Sequence, residues 1–406
     1  MKIVGLITEY NPFHNGHKYH IEKAKEITGA DYCIAVMSGD FVQRGAPAFL
    51  PKHLRTDMAL HGGCDMIIEL PVCYATGSAE YFATGAISIL DNLGCVDYVC
   101  FGSECGNYAA LEKIAQTLAD EPSEYKLELQ NSLKTGLSFP VARQQALIKY
   151  FKDDFLVSVI SEPNNILGIE YIKAMITNNS SMKGYTISRI DSSYHDEELS
   201  SQYSSASAIR NIFRNPSYTP AFDLLNGQLS EYSINIMKKH YGVRYPVHSD
   251  DFSLLLKYKL LTESKESLSS YLDITPELAN RIINFRNEFI STTQFIDLIK
   301  TKEITYSRIS RCMIHILLNI KEFNPSMDSY AHILGFKKES SELFSEMKKC
   351  SNIPLITKLS SVDQLNDWQQ SMLHKDIFAS DLYESIVSDK FKTPFMNELT
   401  KQIVKH

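Results

Sequence analysis

At 406 residues the chain exceeds one typical domain and suits two, and its net charge of −7 excludes a strongly basic nucleic-acid binder, so any RNA contact has to come from a local patch. No apolar stretch approaches the ~20 residues that span a bilayer, and the N-terminal residues lack a signal-peptide layout. The eight cysteines fall at irregular spacings without paired CxxC units, so the expectation is a cytoplasmic protein with reduced thiols, no structural metal and no membrane association.

The front of the chain alternates short apolar runs with longer amphipathic ones, the pattern of a parallel sheet built from βα units. Residues 2–8, 31–37, 66–70 and 96–101 are predicted strands; 17–28, 52–61 and 79–93 are predicted helices with apolar residues every three or four positions. A helical stretch over 108–150 follows. An apolar run at 155–160 is predicted to be a further strand, leading through SEPNN into a helix, and 185–190 a last short strand before a serine-rich turn and a helix near Ser207. From about Pro216 strand-like alternation stops, and 231–240, 252–261, 268–272, 276–287, 294–301 and 306–319 read as successive helices. The expected fold is therefore α/β, a Rossmann-like parallel sheet in residues 1–215, followed by an all-α domain in residues 216–406. Charge divides the same way, with 18 basic and 26 acidic side chains in 1–230 against 23 and 22 in 231–406.

The segments that follow the predicted strands are polar or glycine-bearing, and in open α/β sheets those carboxyl ends hold the ligand. After the first strand comes HNGH, residues 14–17, at the mouth of a helix. A helix N-terminus offers unpaired N–H groups and partial positive charge to phosphate. Gly16 allows close approach, and His14 and His17 converge on the same triphosphate. A bare HxGH is as often a capped turn; a strand directly before it favours the phosphate reading. A second serine-rich helix start, SSASAIR at 204–210, brings hydroxyls and Arg210, a cation suited to bidentate phosphate contact. By itself that run is an ordinary N-cap. Asp40, with Arg44, lies in the loop after the second strand; its carboxylate is a candidate proton acceptor, and a turn-forming aspartate after Ser38-Gly39 is the equal alternative. In the tail, residues 281–321 collect seven basic and three acidic side chains, and Tyr306 beside Arg308 and Arg311 joins a stacking surface to phosphate pairing.

HNGH with SSASAIR resembles the paired signatures of the HIGH-type nucleotidyltransferases. EYNPFHNGHKYH, MSGDFVQRGAPA, DMIIELP, FGSE, EPNNILGIEYIKA and ISRI together resemble the bacterial tRNA(Met) cytidine acetate ligase family over most of the first two hundred and ten residues. The resemblance implies ATP-dependent acetylation of the wobble cytidine of elongator tRNA(Met). Acetate is activated as acetyl-adenylate with loss of pyrophosphate, then attacked by the cytidine's exocyclic amine, with no acetyl-CoA. Its ATP site, carried onto this sequence, comprises Ile7, Thr8, Glu9, His14, Gly16, His17 and His20, then Gly102, Asn164 or its neighbour Asn165, Arg189, Ser205 and Arg210. His14, His17 and Asp40 are the expected catalytic residues, Tyr306, Arg308 and Arg311 the expected tRNA contacts, and Mg²⁺ the expected companion of ATP. The position commonly threonine in the serine motif is Ala206, which removes one hydroxyl. Two other readings share the HNGH turn: a small-molecule adenylyltransferase or a carboxylate–amine ligase like pantothenate synthetase, and a non-catalytic RNA-binding module on a decayed scaffold. The basic patch in the tail disfavours the first; the intact His14, Gly16, His17 and Arg210 disfavour the second.

Overall fold

The computed structural model describes residues 1–189, 204–213, 222–325, 329–359, 362 and 364–406. Its strands are β1 (Ile3–Thr8), β2 (Tyr32–Ser38), a short hairpin of β3 (Phe41–Val42) and β4 (Ala46–Pro47), then β5 (Met66–Leu70), β6 (Tyr98–Ser103), β7 (Lys183–Ser188), β8 (Ala331–Phe336), β9 (Leu355–Ile356) and β10 (Val404–Lys405). The main sheet runs β10-β8-β5-β2-β1-β6-β7, and β9 adds to β8. β1 pairs in parallel with β2 on one side and β6 on the other. The chain thus builds outward in one direction, returns, and builds in the other, which leaves a crevice at the carboxyl ends of β1 and β6.

β1 and β2 read IVGLIT and YCIAVMS, runs apolar enough to be covered on both faces. One face packs against α1 (Asn15–Thr28) and α2 (Lys52–His61), where Ile21, Met58 and Leu60 meet Val4, Leu6 and Met37. The opposite face receives helices Ala79–Asn92 and Pro163–Thr177, with Ile87, Leu90 and Ile169 against Ile3, Ile34 and Val36. A Cβ on Gly5 would sit 2.8 Å from both Leu90 methyls, so the closeness of helix and sheet requires glycine there. Truncating Leu90 in such a site costs about 2–5 kcal/mol, far more than any helix-propensity term, so packing rather than propensity holds that helix.

Three expectations are corrected. The helix predicted at 268–272 lies instead at Lys265–Leu268, because Ser264 caps it by accepting the Ser267 amide. Residues 155–160 belong to a helix, Asp154–Val159, because the Asp153 carboxylate accepts the amides of Phe155 at 3.0 Å and Leu156 at 3.2 Å; a capping side chain decides what a six-residue apolar run leaves open. The back half is not purely α-helical. β8 runs antiparallel to β5 and carries β9 and β10 in parallel, so the tail completes the edge of the front sheet. The helical stretch at 108–150 resolves into Tyr108–Asp120, Ser123–Lys134 and Phe139–Phe151. The last residue of the predicted strand 185–190, most of the serine-rich turn and the division near residue 215 lie outside the described residues.

A helix of 25 residues, Asp367–Phe391, fastens tail to front. Its Asp376 Oδ1 accepts the Val72 amide at 2.7 Å, and the Tyr383 hydroxyl donates to the Ala48 carbonyl at 2.8 Å. Lys52, 1 % exposed, donates to Glu69 Oε1 at 2.7 Å and to Ser380 Oγ at 2.8 Å, and pairs with Glu398 Oε1 at 2.8 Å. Burial disfavours the Lys52 charge, but the carboxylates of Glu398 and Glu69 outweigh it and hold the ammonium above its usual range.

Candidate active site

The HNGH turn forms a reciprocal cap at the start of α1. His14 Nδ1 accepts the Gly16 amide at 3.1 Å, and His17 Nδ1 accepts the His14 amide at 3.2 Å. A neutral imidazole whose Nδ1 accepts carries its proton on Nε2, so each ring keeps one N–H donor. The rings stack with centroids 3.7 Å apart, and Tyr10 stands edge-on to His17 at 4.9 Å. Burial, then the Arg189 and Arg210 guanidiniums, push His14 down to about 3. Burial and Arg189 push His20 down to about 4, and burial with its neighbours His14, His20 and Arg189 takes His17 well below the ordinary value. All three rings are neutral at pH 7. His20 Nε2 is buried without a hydrogen-bond partner among the described residues.

The serine motif meets this turn directly. Ser205 caps helix Ala206–Asn211 by accepting the Ala208 amide at 3.0 Å. Arg210 Nη1 donates to the Asn11 carbonyl at 2.6 Å and Nη2 to Ser207 Oγ at 3.0 Å, clamping the two motifs together. Gln228, which sequence reasoning missed, ties both ends: its carbonyl accepts the Asn15 amide at 2.8 Å and its Oε1 the Ser204 amide at 2.8 Å.

Together these segments wall a cleft of about 360 Å³ at the crevice beside β1 and β6. Ile7, Thr8, Glu9, His14, Gly16, His17 and His20 line it from the β1 side. Gly102, Asn164, Arg189, Ser205 and Arg210 line it from the other segments. A Cβ on Gly102 would make only ordinary contact with Arg189 Cγ at 3.5 Å, so glycine there keeps the cleft open rather than relieving a clash.

Asn165 is 1 % exposed and structural in its contacts: Oδ1 accepts the Cys105 amide at 3.2 Å and Nδ2 donates to the Val159 carbonyl at 3.0 Å. Asn164 Nδ2 instead donates to Glu104 Oε1 at 2.6 Å at the cleft wall. Asp40 is buried behind the cleft, its Oδ1 accepting the Lys52 amide at 2.7 Å. Tyr306, Arg308 and Arg311 lie on helix Tyr306–Leu317 outside the cleft. There Arg308 Nη2 reaches the Asp273 carbonyl at 3.4 Å and Arg311 Nε the Asp273 carboxylate at 3.4 Å.

Two further residues shape the site. Tyr171 lines the cleft with Asn164 and Leu167, at i, i+3 and i+7 of one helix face, a spacing readable in the sequence. Arg55, 0 % exposed, donates to the carbonyls of Leu50 at 3.0 Å, Glu9 at 2.6 Å, Ser38 at 3.0 Å and Gly39, binding the loops after β1 and β2. Three of its four partners are backbone atoms 16 or more residues away, so no motif announces it.

A nucleotide-sized cleft at a sheet crossover, with imidazole donors and two guanidiniums converging on it, belongs to the nucleotidyltransferases, and the HIGH Nucleotidyl Transferase family model matches residues 1–398. Among curated relatives, the tRNA(Met) cytidine acetate ligase of Acetivibrio thermocellus is 39 % identical over 100 % of both chains. That of Thermoanaerobacter sp. is 41 % identical over 94 % of this chain and 95 % of its own. The apo crystal structure of Thermotoga maritima TmcAL and the one bound with alpha-thio ATP match with TM-scores of 0.93 and 0.91, each at 31 % identity and covering 100 % of this chain. The chain belongs to the tRNA(Met) cytidine acetate ligase family.

Proposed function

We propose that this protein is an ATP-dependent ligase that acetylates the wobble cytidine of elongator tRNA(Met) in the cytoplasm. Acetate attacks the α-phosphate of ATP, giving acetyl-adenylate and pyrophosphate. The cytidine's exocyclic amine then attacks the acetyl carbonyl and AMP leaves. Acetyl-CoA has no part. The observation that carries this reading is the clamp of Arg210 on Asn11, which brings HNGH and the serine motif to one cleft.

Within that cleft the Nε2–H groups of His14 and His17 donate to phosphate oxygens as charge builds on the α-phosphate and the leaving pyrophosphate. Arg189 and Arg210 supply fixed positive charge, and Ser205 and Gly16 close the phosphate cradle. Gly102 and Asn164 face the nucleoside, with Asn165 supporting from behind. Ile7, Thr8, Glu9 and His20 complete the wall, and Mg²⁺ carried in with ATP would offset phosphate charge. Asp40 acts by fixing the loop after β2, since it is buried and bonded to the Lys52 amide. Residues 216–406, through Tyr306, Arg308 and Arg311, hold the anticodon arm.

ATP–pyrophosphate exchange with a series of carboxylates tests the adenylation half. Acetate is expected to support exchange, and His17→Ala to slow it by roughly 10²–10³-fold. The lack of acetate-dependent exchange, with or without tRNA, overturns the ligase; exchange undiminished in His17→Ala overturns the role of that imidazole.

A further inference from the structure

Val42, Gln43, Arg44, Ala46 and Pro47 of the β3–β4 hairpin line the cleft, and Gly45 is the residue of that run that does not. Gly45 turns the other way, onto helix Tyr306–Leu317. The hydroxyl of Ser310, 4 % exposed, donates to the Gly45 carbonyl at 2.7 Å. Backbone meets backbone here: a Cβ on Gly45 would lie 2.2 Å from the Arg311 amide nitrogen and 2.4 Å from the Ser310 carbonyl carbon. A φ of +75° strains any other side chain independently.

The hairpin is otherwise stiff. The Gly45 amide donates to the Val42 carbonyl at 2.9 Å, closing a three-residue loop with glycine at the left-handed position, and the Ala48 amide closes its base on the Asp40 carbonyl at 2.8 Å. On the cleft side the Gln43 amide donates to Glu9 Oε1 at 2.9 Å. A rigid element touched by the helical half at its tip and by the β1 loop at its cleft face transmits position from one to the other.

We propose that Ser310 and Gly45 form a docking point through which the helical half sets the hairpin's place in the cleft, which makes Ser310 a positioning residue for acetyl transfer to RNA. This inference rests on the reading that RNA meets helix Tyr306–Leu317. Without the Ser310 hydroxyl the Gly45 carbonyl is left buried and unsatisfied, so the hairpin leaves its docked place more often. The adenylation chemistry sits with the histidines and arginines and does not need that register.

The full chain carrying Ser310→Ala is compared with wild type in four measurements: trypsin cleavage of the Arg44–Gly45 bond, acetate-dependent ATP–pyrophosphate exchange without RNA, single-turnover acetylation of saturating tRNA, and melting temperature. Cleavage is expected to rise, and acetyl transfer to fall, by roughly five- to tenfold. Exchange should stay within about twofold of wild type and the melting temperature within about 2 °C. Gly45→Ala should move cleavage and transfer in the same directions by more. Unchanged cleavage in Ser310→Ala overturns the docking point whatever reaction the protein performs. Parallel loss of exchange and transfer with a lowered melting temperature overturns the positioning role. A wild type without acetate-dependent exchange overturns the proposed function instead, and the cleavage result still decides the docking point.

Discussion

The pair of imidazoles at the head of α1 serves two ends with one set of atoms. Each Nδ1 is spent on the backbone, which fixes the tautomer, and each Nε2–H is thereby available to an oxyanion. The cost is that the histidines cannot share the positive charge of their neighbours. Free histidine protonates near 6.5, whereas His14 and His20 in the fold refuse a proton until about 3 and about 4. The unfolded chain therefore binds more protons than the native one throughout that interval, so stability contributed by the cluster is intact above pH 6.5 and lost as pH falls towards 4. Replacing His20 with Asn removes one such group. The urea midpoint of His20→Asn is expected to drop less than that of wild type between pH 7.5 and pH 5; an equal drop would remove His20 from the acid sensitivity.

Elements were legible where a long pattern and a cap agree. β1, β2 and β5 stand within a residue or two of where their apolar runs put them, and HNGH was readable because strand, turn and helix follow within twenty residues. Residues 155–160 were misread because six apolar residues fit strand and helix alike until the Asp153 cap is seen. Arg55 and Gln228 were invisible because they bind backbone atoms of distant segments, which leaves no spacing to recognise. Helix Tyr306–Leu317 is a harder case: its arginines are legible as a basic patch, yet both lean on Asp273. A half-buried cation bonded to one carbonyl or carboxylate oxygen still presents its other N–H groups to a phosphate. Arg308→Ala with Arg311→Ala is expected to weaken tRNA binding about uniformly across sequences and to reduce the slope of log K against log salt by roughly one to two, while ATP binding holds. An unchanged slope would place the RNA elsewhere on the molecule.

At the scale of the whole molecule, the two halves are joined by more than a linker. Lys52 stands at the start of α2, Glu69 on β5 and Glu398 near the chain's end, and all three are buried. Removing one partner of a buried ion pair leaves a desolvated charge and costs about 3–5 kcal/mol. Glu398→Gln should lower the unfolding free energy by no more than that amount in urea titrations, since Glu69 still pairs with Lys52, and with one cooperative transition for front and tail together. Loss confined to a separate tail transition would show that the halves unfold independently. Sequence patterning missed this union because β8, AHILGF, is a short run with no alternation, buried on arrival against a strand far back in the chain.

That late strand has a consequence for synthesis. The nascent chain emerges with β1, β2 and β5 early, and β5 then waits, its outer edge unpaired, until β8 has left the ribosome. The exposed segment, MIIEL, is the apolar edge that recruits other chains, so the interval between the two strands is when this protein is most open to aggregation and to chaperone capture. The strands that wall the cleft, β1, β6 and β7, all leave the ribosome before the strand that closes the far edge of their sheet.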